Sequence, residues 1–593
     1  MRIGPRMWHR RHYSILPTLA LAAALSSCTA KTPEAEADLI LVGARVWTGW
    51  DEVPWAEAVA VRGERIVAVG TDRELKRYRG RNTRVLELAG RFVAPGFIDN
   101  HTHFDAAGAL LLGLNLLQVK DEAEFIDEVR GARDRLPAGA WITGGDWGAY
   151  EAWKAGSAGA VSSGFGEDSP SEPVGSEGFV PHRAMIDSIT PETAVLISKW
   201  DGSVFLANEQ ALLRAGATCA WSGVECEQGR ATGRLTPEAA GLVRAAMPPK
   251  TFQQRVAESR LAMQRLGESG VTTIHDITPS EQMSVYQSLL RDGELTVRVY
   301  ARPTLDRWWH LATVGIQHGF GNDWLKVGGL KGFVDGIMGN STARFYEPYL
   351  SSGEVGRWRA MMDPPGNMQR LLISADSAGH WPQVHAIGDH AIDTLLTMYE
   401  RTMAVNGPGD RRFRIIHAQV LGGPETAERM ARLGVIAEVQ PYHAIDDMRW
   451  MEERIGERAR WAYAFRTLQE AGVRLSFGSD WPGTNASWYP SSPLLGIYAA
   501  VTRQTLGGEP EEGWFPEERV DLETALRAYT INNAWAAGEE EIKGSLEPGK
   551  LADIVVVDRD LFSLDPAMLK NCRVLYTIVG GQVVYQRSDM EES

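Results

Sequence analysis

His101-Thr-His103, closing the run Val93-Ala-Pro-Gly-Phe-Ile-Asp-Asn-His101-Thr-His103, sets two imidazoles two residues apart. On an extended chain alternate side chains share a face, so both rings can reach one ion at the C-terminal end of a strand. Alone, the pair is a fragment that chance can supply. Four more polar residues fall at or near the ends of apolar runs: Lys331 in Gly-Leu-Lys-Gly-Phe-Val-Asp-Gly, His385 in Gln-Val-His-Ala-Ile-Gly-Asp, His417 in Arg-Ile-Ile-His-Ala-Gln, and Asp480 in Phe-Gly-Ser-Asp-Trp-Pro. Any one of them reads equally well as a satisfied core histidine or a capping aspartate. Six of them at comparable positions point to one shared site, with metal coordination as its chemistry.

The elements that must position these residues follow a repeating pattern. Short β-branched runs at 97–100, 271–277, 296–302, 332–334, 383–386, 414–418, 435–440 and 474–478 alternate with helical stretches, as in βα units. Eight such units predict an α/β fold, a (β/α)8 TIM-type barrel spanning 95–539, whose sites lie at the C-terminal ends of the strands. Between the first and second runs the chain is far too long for one helix and its loops. Residues 105–270 are therefore expected to form a large insertion over the barrel mouth, with the Gly/Ser-rich 155–178 as a mobile loop. Strand-like runs at 38–46, 58–61, 65–69 and 84–88, together with 553–557, 574–579 and 582–586, predict a small β-sandwich domain built from both termini (38–94 and 540–588). Gly580-Gly581 is its last hairpin turn.

At 593 residues and 44% hydrophobic the chain exceeds the size at which a single core stops growing. Residues 1–27 hold Arg2, Arg6, Arg10 and Arg11, no acid, and the apolar stretch 14–25. That is the layout of an export signal, too short to span a membrane comfortably. Leu25-Ser-Ser-Cys28 resembles the lipobox of bacterial lipoproteins. The resemblance implies cleavage before a lipidated Cys28, a polar tether over 28–37, and, with Thr29 in place of an aspartate, the periplasmic face of the outer membrane. Arg10-Arg11 leaves the export route open between the general and the twin-arginine pathways. Loss of residues 1–27 takes four positive charges from the formal −15, leaving −19. That charge disfavours nucleic acid or anionic lipid as partners and leaves a small-molecule substrate, with membrane contact only through the anchor and a homo-oligomer left open. Cys219 and Cys226 could close a disulfide in an oxidising compartment, while Cys572 is expected to be a buried strand residue.

Pro95-Gly-Phe-Ile-Asp-Asn-His-Thr-His103, Ala231-Thr-Gly-Arg-Leu235, Lys331-Gly-Phe-Val-Asp-Gly336, His385-Ala-Ile-Gly-Asp389, Ser479-Asp480 and Gly544-Ser-Leu-Glu-Pro-Gly-Lys-Leu-Ala-Asp553 occur in this order. Together they resemble the amidohydrolase superfamily, in particular the amidohydrolase family 3 branch that includes N-substituted formamide deformylase. The resemblance runs from about residue 38 to 588. It implies hydrolysis of an amide or related C–N bond at two divalent metal ions, commonly zinc. His101, His103 and Asp480 would hold the first ion, and His385 and His417 the second. Lys331 is expected to bridge them as a carbamate, because it shares strand parity with Asp335 while Lys326 would face outward. Burial lowers a lysine's pKa, and the neutral amine adds carbon dioxide to give two ligating oxygens. Asp480 is the expected general base and then general acid. Asp99 and Asp389 are the expected acceptors behind the imidazoles.

One motif departs from the family. Where relatives carry Asp-Gly-His facing the substrate, this chain reads Asp201-Gly-Ser203. Ser203, Trp200, Phe205, His443 and Trp481 are candidate substrate residues, and the substrate itself cannot be copied from relatives. A mononuclear, deaminase-like enzyme using His101, His103, His385 and Asp480 is the alternative. A non-catalytic ligand-binding lipoprotein is the alternative of another class.

Overall fold

The computed structural model describes residues 36–116, 119–137, 139–147, 180–199, 203–483 and 490–588. The export signal, Cys28, the loop 155–178 and Trp200 lie outside them. Eight parallel strands carry the central body: β1 (Phe97–Thr102), β2 (Val271–Ile277), β3 (Arg298–Arg302), β4 (Leu330–Phe333), β5 (Pro382–Ala386), β6 (Arg414–His417), β7 (Ile436–Val439) and β8 (Leu475–Phe477). Nearly every residue in them is buried, as expected for parallel strands covered on both faces. Helices Asn367–Ser377, Asp389–Asn406 and Pro424–Leu433 alternate with β4 to β7. The last of these starts with Pro at its first position and stops at Gly434, whose φ of 65° caps it.

The eight strands do not form one continuous ladder. β1, β2 and β3 pair in order, with the short strand Leu325–Val327 at the outer edge of β3, and β4 to β8 form a second sheet. Single parallel bridges join the two sheets, Thr304 to Lys331 at one seam and Thr102 to Trp481 at the other. Leu325–Val327 is an additional strand beyond the eight expected, and several strands end a residue or two from their expected limits. Lys326 lies on that additional strand, so its parity with Lys331 does not decide its direction; it pairs with Glu539 at 2.5 Å.

Strands from both termini share a six-stranded sheet in which Phe92–Pro95 pairs with both Arg45–Trp47 and Ile554–Val557. A four-stranded sheet of Leu39–Val42, Ala58–Arg62, Arg65–Gly70 and Arg84–Glu87 packs on it through one apolar cluster that includes Leu41, Val59, Val93, Ile554 and Ile578. The run 38–46, expected as one strand, is broken at Gly43 with φ 62°, and its halves enter different sheets. Gly580 and Gly581, both at positive φ, turn the final hairpin as anticipated. Cys572 is not in a strand. It ends the short helical stretch Pro566–Asn571 and is half-buried.

The segment between β1 and β2 holds its own six-stranded sheet, from Leu114–Asn115 to Arg230–Leu235. Cys219 and Cys226 are joined in a disulfide beside its edge hairpin. The flanking helices Phe104–Leu112 and Phe252–Glu268 behave differently from the insertion expected over 105–270. Their Phe104, Ala107, Ala262 and Leu266 pack with Val271 and Ile274 of β2, so both belong to the layer around the central strands. A side chain at Gly108 would come within 2.5 Å of the Glu258 carbonyl, which is how close the two helices run.

Arg298 on β3 fixes the terminal sheets to the central body. It is 1% exposed and forms a two-pronged pair with Asp553, at 2.8 and 3.0 Å, while Asp553 also accepts from the Gly580 amide at 2.9 Å. Removing one partner of a buried pair leaves an uncompensated charge. Asp553→Ala is therefore expected to cost about 3–5 kcal/mol, read as a lower midpoint of urea unfolding, whereas a midpoint unchanged from the parent would refute this role.

Candidate metal centre

The predicted ligands converge at the C-terminal ends of the strands. His101 and Asp480 face each other across the second seam, with His101 Nε2 3.3 Å and His103 Nε2 3.2 Å from Asp480 Oδ1. The backbone fixes this approach: the Asp480 amide donates to the His101 carbonyl at 2.9 Å, and the His103 amide to the Trp481 carbonyl at 2.8 Å. The His417 ring lies 5.1 Å from that of His101 and 4.6 Å from that of His385. Asp480 and His417 both adopt left-handed backbone, φ 58° and 77°, in which non-glycine residues persist only under external constraint. His101, His417 and Asp480 each offer a ligand atom within 4.8 Å of the others. This trio straddles the two-ion division expected from the motifs.

Lys331 is fully buried, its Nζ 4.8 Å over the Phe333 ring, and it bears electrostatically on His101, His385 and His417. His101 Nε2, Lys331 Nζ and Asp480 Oδ1 are buried without a hydrogen-bond partner, an arrangement whose desolvation an ion would offset. Burial, reinforced by the Arg302 guanidinium, holds the Lys331 amine well below the usual lysine range. Burial and Lys331 together keep His101 well below its ordinary value and bring His385 down to about 3. Burial would raise the Asp480 carboxyl, but the neighbouring imidazoles of His101 and His103 more than offset it and keep it ionised. The residues present thus fit a divalent cation: imidazoles, a carboxylate and a lysine amine around unsatisfied buried atoms.

Behind these groups the acceptors differ from those expected. Asp99 does not receive an imidazole. It accepts the amides of His101 and Ser479 and the Ser479 hydroxyl, at 2.5–3.0 Å, and burial lifts its carboxyl to about 6. Asp389 accepts the amides of Tyr346 and His390 at the start of a helix. The ring acceptors are Glu438 for His101 (2.9 Å), Gln440 for His417 (2.7 Å) and the Gly336 carbonyl for His385 (2.9 Å). Glu438 and Gln440 were legible as two polar residues of equal parity in the apolar run Val435-Ile-Ala-Glu-Val-Gln440.

The candidate substrate residues separate. His443, in the helix Pro441–Asp447, has Nε2 3.9 Å from Asp480 Oδ2 and faces the site. Trp481 is 1% exposed and packs with Phe104, Val271 and Ile274, so it is core at the seam rather than pocket lining. Phe205 packs within the inserted sheet under the Arg244 guanidinium, and Ser203 is exposed just ahead of it.

Comparison with known proteins decides the family, since the amidohydrolase family model matches residues 84–585. The chain belongs to the amidohydrolase family. Among its relatives, this amidohydrolase is 33% identical over 576 residues to protein LONG AFTER FAR-RED 3 of Arabidopsis thaliana, covering 93% of this chain and 92% of that one. It is 27% identical to N-substituted formamide deformylase of Arthrobacter pascens, covering 93% and 99%. Among solved structures, an uncharacterized metal-dependent hydrolase from Pyrococcus horikoshii superposes with a TM-score of 0.70 at 24% identity, over 89% of this amidohydrolase and 99% of that chain. No helix among the described residues is long and apolar enough to cross a membrane.

Proposed function

We propose that this amidohydrolase is a binuclear, zinc-dependent hydrolase of an amide or related C–N bond in a small molecule. The observation that carries the reading is the group of buried, unpartnered atoms on His101, Lys331 and Asp480 beside His417. His101, His103 and Asp480 would hold one ion, His385 and His417 the other, with Lys331 N-carboxylated between them. When bound, such a pair supplies Lewis acidity, which brings the pKa of a coordinated water to about 7 and polarises a carbonyl. Asp480 takes the proton of the attacking water and delivers it to the leaving nitrogen. Its ionised state and its place against His101 and His103 suit the first transfer, and its protonated form is the acid for the second. His443 stands on the other side of the same carboxylate, where it can contact the leaving group. Support for the bond type comes from the deformylase relative, over 99% of whose length the match runs.

The tight His101, His417, Asp480 trio favours a second reading, a single ion in a mononuclear enzyme. Metal analysis separates the two. Purified protein is expected to carry two zinc ions per chain, to lose hydrolysis of an amide and N-acyl amino acid panel on chelation, and to regain it with zinc. One tightly held ion with Lys331 unmodified by mass spectrometry would establish the mononuclear form, and a panel with no hydrolysed member would refute the bond assignment.

The basic, apolar N-terminus and Leu25-Ser-Ser-Cys28 support export and anchoring through a lipidated Cys28 on the periplasmic face of the outer membrane.

A further inference from the structure

Neither β7 nor Gln440, the residue that follows it, supplies one of the six predicted ligands, yet Glu438 of β7 and Gln440 each touch one of them. Residues of equal parity on a strand share a face, and Glu438 and Gln440 both face the interior, 0% and 1% exposed. Glu438 Oε1 accepts from His101 Nδ1 at 2.9 Å, and Gln440 Oε1 accepts from His417 Nδ1 at 2.7 Å. An imidazole nitrogen that carries its proton cannot ligate, so the acceptor behind a neutral ring chooses the nitrogen left in front. In both rings that nitrogen is Nε2, and in His101 it is the unsatisfied atom that faces Asp480.

Each acceptor is itself held in one state. Glu438 is gripped by Arg302 Nη1 at 2.7 Å and Arg414 Nη1 at 2.9 Å, all three residues fully buried. Arg302 is anchored in turn on the His275 carbonyl at 2.7 Å and Gln383 at 3.2 Å, and Arg414 on the Ala536 carbonyl at 2.7 Å. Two fixed guanidiniums keep Glu438 a carboxylate, which can only accept, so the proton between it and His101 belongs to the ring. Gln440 turns its amide nitrogen toward the Glu438 carbonyl at 3.5 Å, which leaves its oxygen for His417.

We propose that β7 and the residue that follows it position the metal centre, with Glu438 and Gln440 holding the Nδ1 protons of His101 and His417 so that both rings present Nε2 to the metal. The proposal rests on the metal-hydrolase reading above. It makes Glu438 and Gln440 positioning residues that act through the ligands. A purely structural role for the buried charges would leave the tautomers of the two rings indifferent to residue 440.

The test is a titration of the metal-free full chain with zinc against a chromogenic chelator. Gln440→Leu and Glu438→Leu are each expected to raise the zinc Kd about 10–100-fold. Gln440→Glu keeps an acceptor for His417 and is expected to bind zinc as tightly as the parent. Parent-like zinc affinity in both Gln440→Leu and Glu438→Leu would overturn the proposal. A parent chain that takes up no divalent metal would overturn the metal-hydrolase reading and this inference with it. Should the Glu438 variant fail to fold, nitrogen-15 histidine spectra of the zinc-loaded parent decide. Protons on Nδ1 of both His101 and His417 support the assignment, and a proton on Nε2 of either ring refutes it.

Discussion

The Asp480→Asn variant is expected to lose hydrolysis by roughly 10²–10⁴-fold while keeping its fold, the span a positioned general acid and base contributes. The substitution is well suited to separate chemistry from architecture. Asp480 sits at φ 58°, a conformation that asparagine tolerates at least as well as aspartate, so the backbone is not strained further. The amide of residue 480 still donates to the His101 carbonyl, and the bridge between Thr102 and Trp481 is untouched. An asparagine oxygen can still face His101 and His103, but the side chain can neither take nor return a proton. Steady-state rates on whichever panel member the parent hydrolyses, with metal content measured on the same samples, check the expectation. Parent-like turnover at parent-like metal content would remove Asp480 from the proton transfer. Hydrolysis lost in strict proportion to metal would leave it a ligand alone.

The two halves of this site differ in how far the sequence exposes them. His385, His417 and Asp480 stand out because a polar residue at the end of an apolar parallel strand is costly unless something there uses it. Ligand candidates are therefore visible one at a time, without knowledge of what they face. Glu438, Gln440, Arg302 and Arg414 are buried polar residues of the same kind, but their partners lie on other strands, and pairing between strands depends on sheet order and register that no local pattern encodes. Asp99 illustrates the converse. It belongs to the same run as His101, yet its carboxylate serves the backbone of residues 101 and 479, because on β1 its side chain meets the turn after β8. Trp481 is a candidate substrate residue by its sequence, and its ordinary packing prevails, in the cluster with Phe104, Val271 and Ile274. The β-sheets of the termini were legible from turn residues and apolar runs, except at Gly43, where a single positive φ sends one expected strand into two sheets.

The second large effect is expected at a residue with no side chain. Gly478 sits at the seam where the turn after β8 meets β1, and its amide donates to the Val439 carbonyl at 3.1 Å. A Cβ there would come within 2.1 Å of Asn100 Oδ1, 2.7 Å of Asp99 Oδ1 and 2.8 Å of the His101 amide nitrogen. The groups that carry these atoms are held in place. Asn100 is tied to Ser476 at 2.9 Å, Asp99 accepts two amides and a hydroxyl, and His101 is backbone in a buried strand. Gly478→Ala must therefore push β1 and the Asp480 turn apart. Overpacking of this kind costs about 1–3 kcal/mol in stability. The larger consequence falls on the site, because the displaced atoms carry His101 on one side and Asp480 on the other, and a shift of about 1 Å between catalytic groups lowers rate on the order of 10²-fold. Gly478→Ala is thus expected to fold, to melt earlier than the parent, and to lose zinc affinity and hydrolysis together. Thermal unfolding and chelator titration of the same preparation check this, and an alanine variant with parent-like zinc affinity would show that the seam does not set the distance between His101 and Asp480.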